Sequence, residues 1–125
     1  RVVITTLAKG SSIGEMPRME FIETPTFTRL VQELLPDEQY HKLQVSMMED
    51  PTSGAILKGG GGIRKLRYAL PNTGKSGGVR VIYYWVSAKG IFYMLLIYPK
   101  SAKDNLTDRE TSILRDLVKE LSDAH

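Results

Sequence analysis

The pattern of apolar and polar residues predicts helices in the first half of the chain and strands in the second. Residues 19–23 have the alternation of a short strand, which Pro25 ends. The apolar residues that follow have helical spacing, so a first helix is expected to begin at a cap on Thr26 or Thr28. Pro36 stops this helix because proline lacks the backbone N–H that a helix interior needs.

A second helix is predicted directly after the first. Asp37 is expected to be its N-cap, and the residues from 38 to about 49 place their apolar side chains with roughly helical spacing. Pro51 ends this helix, since the residue before a proline avoids helical backbone angles.

Three strands and a closing helix are predicted in the remainder. Residues 63–70 are predicted to form one strand. Residues 79–86 and 91–98 are rich in β-branched and aromatic residues, and residues 87–90 are typical of a hairpin turn. Thr107 and Glu110 then form a capping box, which opens a helix with an apolar stripe. The order of strand, two helices, three antiparallel strands and helix predicts an α+β domain, with its helices packed on one face of an antiparallel sheet.

Length and composition limit the kind of protein. Residues 1–18 show no clear periodicity, and we expect a poorly ordered extension that precedes one domain of residues 19–125. The chain has no cysteine, which excludes disulfides, thiolate metal sites and a cysteine nucleophile. No apolar run approaches the roughly 20 residues needed to span a bilayer, so we expect a cytoplasmic protein with no membrane partner.

Charge gives the first functional indication, because acidic and basic residues are distributed unevenly. The net charge is only +3, but all 14 acidic residues lie at or before Asp50 or at or after Asp104. The segment between them has no carboxylate and carries only cations, which are Lys58, Arg64, Lys65, Arg67, Lys75, Arg80, Lys89, Lys100 and Lys103. Such a segment attracts phosphates, which favours a nucleic acid or an acidic partner.

Two common kinds of site have little support in the sequence. Residues 69–76 fit a relaxed P-loop pattern, but a strand follows where a P-loop needs the start of a helix, so a glycine-rich hairpin loop is the better interpretation. His41 and His125 have no partner at metal-ligand spacing, and the basic segment supplies no carboxylate. We therefore expect no metal and no cofactor, and any chemistry must rest on cations and hydroxyl groups.

Cleavage of RNA is a reaction that cations can catalyse, because the ribose 2′-OH is the nucleophile. The protein must help to remove the 2′ proton, stabilise charge on the phosphate and protonate the departing 5′ oxygen, and lysine and arginine suit these steps. Alternation along the strand of residues 63–70 places Lys65 and Arg67 on one face, with Leu66 and Tyr68 on the other. Basic patches more often bind than cut, so binding without catalysis stays open.

These stretches resemble the RelE/HigB branch of bacterial type II toxins, over about residues 19–121. The resemblance rests on GGIRKLR at 61–67, GKSGGVRVIYY at 74–84 and LIYPK at 96–100. It implies a RelE-like fold and a ribosome-dependent, metal-independent endoribonuclease that cuts mRNA in the decoding site. It also implies a cognate antitoxin encoded beside the toxin, of the helix-turn-helix HigA-like kind.

The resemblance also implies a set of site residues. The catalytic residues would be Lys65, Arg67, Arg80 and Lys100, and the substrate-binding residues Arg64, Lys75 and Tyr98. Some family members place a tyrosine or a histidine after the last strand as proton acceptor, and this chain has neither there. Lys65 is then the first candidate for the general base and Tyr98 the second. Tyr83 and Tyr84 alternate, so at most one faces the site, and Trp85 is expected in the core.

Two rival functions remain open at this point. A ParE-like relative would share the fold but inhibit DNA gyrase by binding. Such relatives generally lack the basic catalytic cluster, so the presence of Lys65, Arg67 and Arg80 together favours the ribonuclease. The other rival is a nucleic-acid-binding module without catalysis.

Overall fold

The computed structural model describes residues 1–7, 18–71, 77–103 and 105–124, and these residues form six strands and three helices. In chain order the elements are β1 (Val2–Thr6), β2 (Arg18–Glu23), α1 (Pro25–Leu34), α2 (Asp37–Glu49), β3 (Ala55–Ile56), β4 (Arg64–Tyr68), β5 (Val79–Val86), β6 (Ile91–Pro99) and α3 (Asp108–Ala124). The predicted α+β class is confirmed. None of the helices among these residues is both long and apolar enough to cross a membrane.

The strands form one mixed sheet in the order β1-β2-β6-β5-β4-β3. The predicted antiparallel arrangement is confirmed for β4, β5 and β6. It is wrong for β2, which pairs with β6 in parallel, with Glu20 opposite Ile91 and Glu23 opposite Met94. A parallel pair needs a long crossover connection, and residues 24–90 supply one. The alternation within a strand carries no information on the direction of its neighbour.

β1 is an edge strand, where the sequence predicted a poorly ordered extension. It pairs with β2 in antiparallel register over its whole length. The Thr5 hydroxyl, which faces α2, donates to the amide oxygen of Gln44 at 3.1 Å. The expectation is therefore wrong for this strand, because its order comes from pairing with β2 and not from a local pattern. Residues 8–17 of the predicted extension lie outside the described residues.

Helices cover both faces of the sheet, which corrects the expectation that they share one face. One apolar cluster joins α1 and α2 to Val81 and Tyr83 of β5, and we call this side the α1/α2 face. A second cluster joins Val118 of α3 to Ile82 of β5, and this side is the α3 face. β5 is apolar at successive positions because it is buried on both sides.

α1 begins two to four residues earlier than the sequence predicted. Thr24 is its N-cap, with its hydroxyl accepting a hydrogen bond from the Phe27 N–H at 3.0 Å, so the expected caps at Thr26 and Thr28 are wrong. Pro25 occupies the first turn of the helix, where its fixed backbone angle suits the start and its missing N–H costs nothing. Pro25, which the sequence indicated as the end of the first strand, is thus also the first residue of α1.

The other two helix starts differ in how they are capped. The expectation for α2 is wrong, because Pro36 occupies the N-cap position and Asp37 is the first helical residue, without a side-chain cap. The capping box of α3 is confirmed. The Glu110 N–H donates to the Thr107 hydroxyl at 3.1 Å, and the Thr107 N–H donates to the Glu110 carboxylate at 2.9 Å.

A buried carboxylate, Glu23, fastens β1 and β2 to the first two helices. The Arg1 guanidinium donates to both of its oxygens, at 2.7 and 3.1 Å, and the Thr28 hydroxyl donates at 2.7 Å. The Tyr40 hydroxyl also donates to it. Burial alone would raise the pKa of Glu23, but these hydrogen bonds outweigh burial and hold the pKa below its ordinary value.

Candidate active site

The cations of β4 are divided between the two faces of the sheet by simple alternation. Lys65 lies opposite Ile82, which packs against α3, so Lys65 and Arg67 are on the α3 face. Leu66 packs against the cluster of the α1/α2 face. The sequence-predicted neighbours Lys65 and Arg67 are therefore brought to the same side of the sheet.

The register of the central strands aligns two arginines and a tyrosine. Arg67 of β4 lies directly opposite Arg80 of β5, and Arg80 lies directly opposite Tyr98 of β6. Directly opposed residues project from the same face, so these three side chains form one row across the sheet, which we call the arginine row. Lys65 is in the neighbouring row on that face.

Arg80 is the unusual member of this row because it is buried. Arg80 is only 8% exposed, whereas Arg67 is exposed. Its Nη1 donates to the Val79 carbonyl at 3.4 Å, and no carboxylate among the described residues lies within salt-bridge distance of it. A buried guanidinium directly opposite a second cation is unfavourable without an anion. The arrangement is therefore one that a phosphate would complete.

A glycine fixes how the chain enters β5. Gly78 has φ +103°, and a Cβ at this position would lie 2.7 Å from the Tyr68 carbonyl oxygen. The small residue is needed for close approach to β4 rather than to a ligand. The Gly78 carbonyl accepts a hydrogen bond from the Lys100 backbone N–H at 3.2 Å. The structure thus places the half-exposed Lys100 at the end of the sheet where Arg80 enters β5.

A loop between β6 and α3 reaches the α3 face of the sheet. We call residues 100–107 the 100–107 loop, of which residue 104 lies outside the described residues. Its Asn105 accepts a hydrogen bond from the Lys65 ammonium, at 2.7 Å from Nζ to Oδ1. Asn105 carries no signal in the sequence, because it lies 40 positions from Lys65 and no pattern links the two residues.

The 100–107 loop is held by an ion pair with the first turn of α3. Lys103 pairs with Glu110, and its ammonium lies 5.6 Å from the centre of the Tyr98 ring. The hydrogen bond from Lys103, together with that from the Thr107 N–H, lowers the pKa of Glu110. The same carboxylate therefore caps α3 and anchors the loop that contacts Lys65.

Not every predicted site residue joins this group. Arg64 is on the α1/α2 face, where its Nη1 donates to the carbonyl oxygens of Thr52 at 3.0 Å and Gly54 at 2.8 Å. The structure does not bring it to the arginine row. Tyr98 is in the row but buried. Lys75, with the rest of residues 72–76 of the predicted glycine-rich loop, lies outside the described residues.

The aromatic residues of β5 divide as alternation predicts. Tyr83 is fully buried on the α1/α2 face, its hydroxyl donates to the Pro51 carbonyl at 2.8 Å, and burial raises its pKa. Tyr84 is on the α3 face. Trp85 packs on Phe92 with ring centres 4.4 Å apart and joins the core of the α1/α2 face. Tyr84 is thus the only one of these three that shares a face with the arginine row.

The chemistry available on this face is that of cations. Over the described parts of the chain, no three His, Asp or Glu side chains are grouped so that they would hold a metal ion. Arg67, Arg80 and Lys65 supply positive charge on this face, Lys100 adds charge at the end of the sheet where Arg80 enters β5, and the two lysines can also carry protons. Such a group can bind a phosphodiester and stabilise charge that develops on it.

Comparison with known proteins gives two findings. A family model described as "RelE toxin of RelE / RelB toxin-antitoxin system" matches residues 19–125. Among solved structures, a chain in the crystal structure of the intact E. coli RelBE toxin-antitoxin complex is similar, at 20% sequence identity and a TM-score of 0.46, over 62% of this chain and 90% of that one.

Proposed function

The chain belongs to the RelE toxin family, whose model it matches over residues 19–125, and on that premise we propose that it is a ribosome-dependent endoribonuclease that cuts mRNA and so inhibits translation. The observation that carries the proposal is the arginine row, in which a buried Arg80 faces Arg67 with no described carboxylate at salt-bridge distance. Lys65 lies beside this row on the same face.

In the proposed reaction the RNA provides the nucleophile. The ribose 2′ oxygen attacks the adjacent phosphorus, the bond from phosphorus to the 5′ oxygen breaks, and the products end in a 2′,3′-cyclic phosphate and a 5′ hydroxyl. Arg67 and Arg80 bind the phosphate and stabilise the charge that develops on its oxygens. Lys65 in its neutral form accepts the 2′ proton, with Tyr98 as the second candidate, and Lys100 protonates the departing 5′ oxygen.

The proposed dependence on the ribosome concerns what the cations of the α3 face can provide. Arg67 and Lys65 can attract and bind a phosphate, but these cations alone do not hold a flexible RNA with its 2′-OH in line with the leaving oxygen. Correct orientation is worth roughly 7–11 kcal/mol of a reaction barrier. We propose that the ribosome contributes this orientation by presenting mRNA in a fixed conformation in its decoding site, and that the protein needs no metal or cofactor.

Purified protein should therefore be incubated with naked mRNA and with programmed ribosomes over a series of salt concentrations, and the RNA ends mapped. We expect new 5′-hydroxyl ends on ribosome-bound mRNA only, with cleavage weakening steeply as salt rises because phosphate contacts release counterions. Equal cleavage of both substrates would refute the ribosome dependence. Inhibition of DNA gyrase without cleavage would favour the ParE-like rival, and RNA binding with neither activity would favour a non-catalytic module.

A cognate antitoxin is part of the proposal. The description of the matching family names a paired system of toxin and antitoxin. We propose that this chain has a partner of the helix-turn-helix HigA-like kind and acts in the cytoplasm, where mRNA and ribosomes meet. Co-expression with the product of the neighbouring small reading frame should relieve growth arrest, and arrest that persists at matched expression would exclude that product as the antitoxin.

A further inference from the structure

We infer that Asn105 is a positioning residue that fixes the direction of the Lys65 ammonium. This inference rests on the proposed function, because it concerns how Lys65 takes part in RNA cleavage. The contact that motivates it joins the Lys65 Nζ to the Asn105 Oδ1 at 2.7 Å, and it connects β4 to the 100–107 loop.

Lys65 needs such a partner because its charge is carried on a flexible stem of four carbons. A lysine ammonium is a compact charge with three rotatable donors, so its position is not set by its own backbone. Lys65 is only half-buried. Anchoring one N–H on Asn105 restricts the positions that the ammonium can take on the α3 face, which Lys65 shares with Arg67 and Arg80.

Stability gives little reason for this contact. Asn105 is exposed, and hydrogen bonds between exposed side chains contribute little to the free energy of unfolding. The chemistry of the amide fits a positioning role better. Its oxygen accepts a hydrogen bond from Lys65 without neutralising the positive charge, whereas a carboxylate at the same place would do so and favour the protonated amine.

The loop around Asn105 is built to hold it in place. At its start, the Lys100 N–H donates to the Gly78 carbonyl at 3.2 Å and the Ala102 N–H to the Pro99 carbonyl at 2.9 Å. At its end, Glu110 accepts from Thr107 at 2.9 Å and pairs with Lys103. Asn105 therefore lies between two anchored points, one on the sheet and one on the first turn of α3.

The test compares Asn105→Ala and Asn105→Asp with Ser101→Ala, a matched substitution of an exposed residue in the same loop. Single-turnover cleavage of mRNA on programmed ribosomes is measured, with ribosome binding and thermal unfolding followed in parallel. We expect Asn105→Ala to lower the cleavage rate by roughly tenfold at unchanged ribosome affinity and unfolding temperature. Ser101→Ala should cleave at the wild-type rate.

Asn105→Asp separates positioning from a structural role. Its carboxylate keeps a hydrogen-bond acceptor beside Lys65 but pairs with the ammonium and favours the protonated amine. Asn105→Asp should therefore cleave more slowly than the wild type at unchanged ribosome affinity and unfolding temperature, and Ser101→Ala should not. In ¹³Cε-lysine NMR at one pH, the Lys65 signal should move in both Asn105 variants while those of the other lysines stay in place. Wild-type cleavage by Asn105→Asp, or an unmoved Lys65 signal in Asn105→Ala, would overturn the inference.

Different results would contradict the positioning role of Asn105 and the proposed function. Wild-type protein that cleaves and an Asn105→Ala variant that cleaves equally fast would overturn the positioning role and leave the proposed function intact. Wild-type protein that cleaves no mRNA on ribosomes would overturn the proposed function and the positioning role with it.

Discussion

Replacing Arg80 with methionine removes the buried cation of the arginine row and keeps an apolar stem in its place. If Arg80 binds the scissile phosphate, the loss should cost about 3 kcal/mol of transition-state stabilisation, or about a hundredfold in rate. The structure predicts that the same substitution does not lower the free energy of unfolding. Arg80 faces Arg67 directly, and among the described residues it has no carboxylate at salt-bridge distance.

The expected change in stability can be estimated from the register. Directly opposed residues have Cβ atoms roughly 5 Å apart, and at an effective dielectric constant of about 20 two unit charges at that distance repel by about 3 kcal/mol. Arg67 is exposed and its long side chain can turn away, which reduces the repulsion toward the 0.2–1 kcal/mol that is typical of cross-strand pairs. Arg80→Met should therefore leave the free energy of unfolding unchanged or raise it by up to about 1 kcal/mol.

Arg64→Met is the matched control, because Arg64 is a cation of the same sheet on the opposite face. Its guanidinium donates to two backbone carbonyls, and losing bonds from a charged donor should lower the free energy of unfolding by about 1.5–3 kcal/mol. Cleavage measured well below the unfolding temperature should stay at the wild-type rate. Arg80→Met is thus expected to lower the cleavage rate without lowering the free energy of unfolding, and Arg64→Met to lower the free energy of unfolding without lowering the cleavage rate.

Urea unfolding and cleavage on programmed ribosomes would be measured for both variants, with growth arrest compared at equal expression. An Arg80→Met protein destabilised by more than about 2 kcal/mol would show that the guanidinium stabilises the fold, and Arg80 would then not be an unpaired cation that awaits an anion. Wild-type cleavage by Arg80→Met would remove Arg80 from the site altogether.

Three further predictions concern the framework of the site. Gly78→Ala should lower the free energy of unfolding by about 1–3 kcal/mol in urea titrations, because φ is +103° and the new Cβ would approach the Tyr68 carbonyl; an unchanged midpoint would contradict this geometry. Thr107→Ala should cost about 1 kcal/mol through loss of the α3 cap, and Thr107→Ser, which keeps the hydroxyl, serves as its control. Glu23→Gln should destabilise the protein at pH 7. Because folding lowers the pKa of Glu23, the difference in free energy of unfolding between the wild type and Glu23→Gln should be full above the unfolded pKa of roughly 4.3. It should shrink as the pH falls through the folded pKa. A difference that does not depend on pH would show that ionisation of Glu23 is not involved.

The parts of this fold that could be predicted from the sequence are those that local pattern determines. The hairpin of β5 and β6, the capping box at Thr107 and the alternation that separates Lys65 from Leu66 all depend on residues within a few positions of one another. A period of two or of three to four residues is enough to predict them. The cations of the candidate site came from the same alternation, together with a family resemblance.

The parts that could not be predicted depend on partners distant in sequence. The order of β1 comes from β2, the parallel direction of β2 comes from β6, and the contact of Lys65 with Asn105 crosses 40 residues. The placement of Arg64 away from the arginine row follows from alternation and could have been predicted from it. The burial of Arg80 could not, because it requires the pairing of three strands.

The parallel pairing of β2 with β6 also sets the order in which a newly synthesised chain can fold. Residues 20–23 can pair with residues 91–94 only after those residues have been synthesised. The arginine row is complete only with residue 98. Domains fold as units during synthesis, and this one needs β6, the last strand in chain order among the described residues, before its sheet is complete. A ribosome that produces the protein has therefore translated the codon for residue 98 before the cationic face exists in its final form.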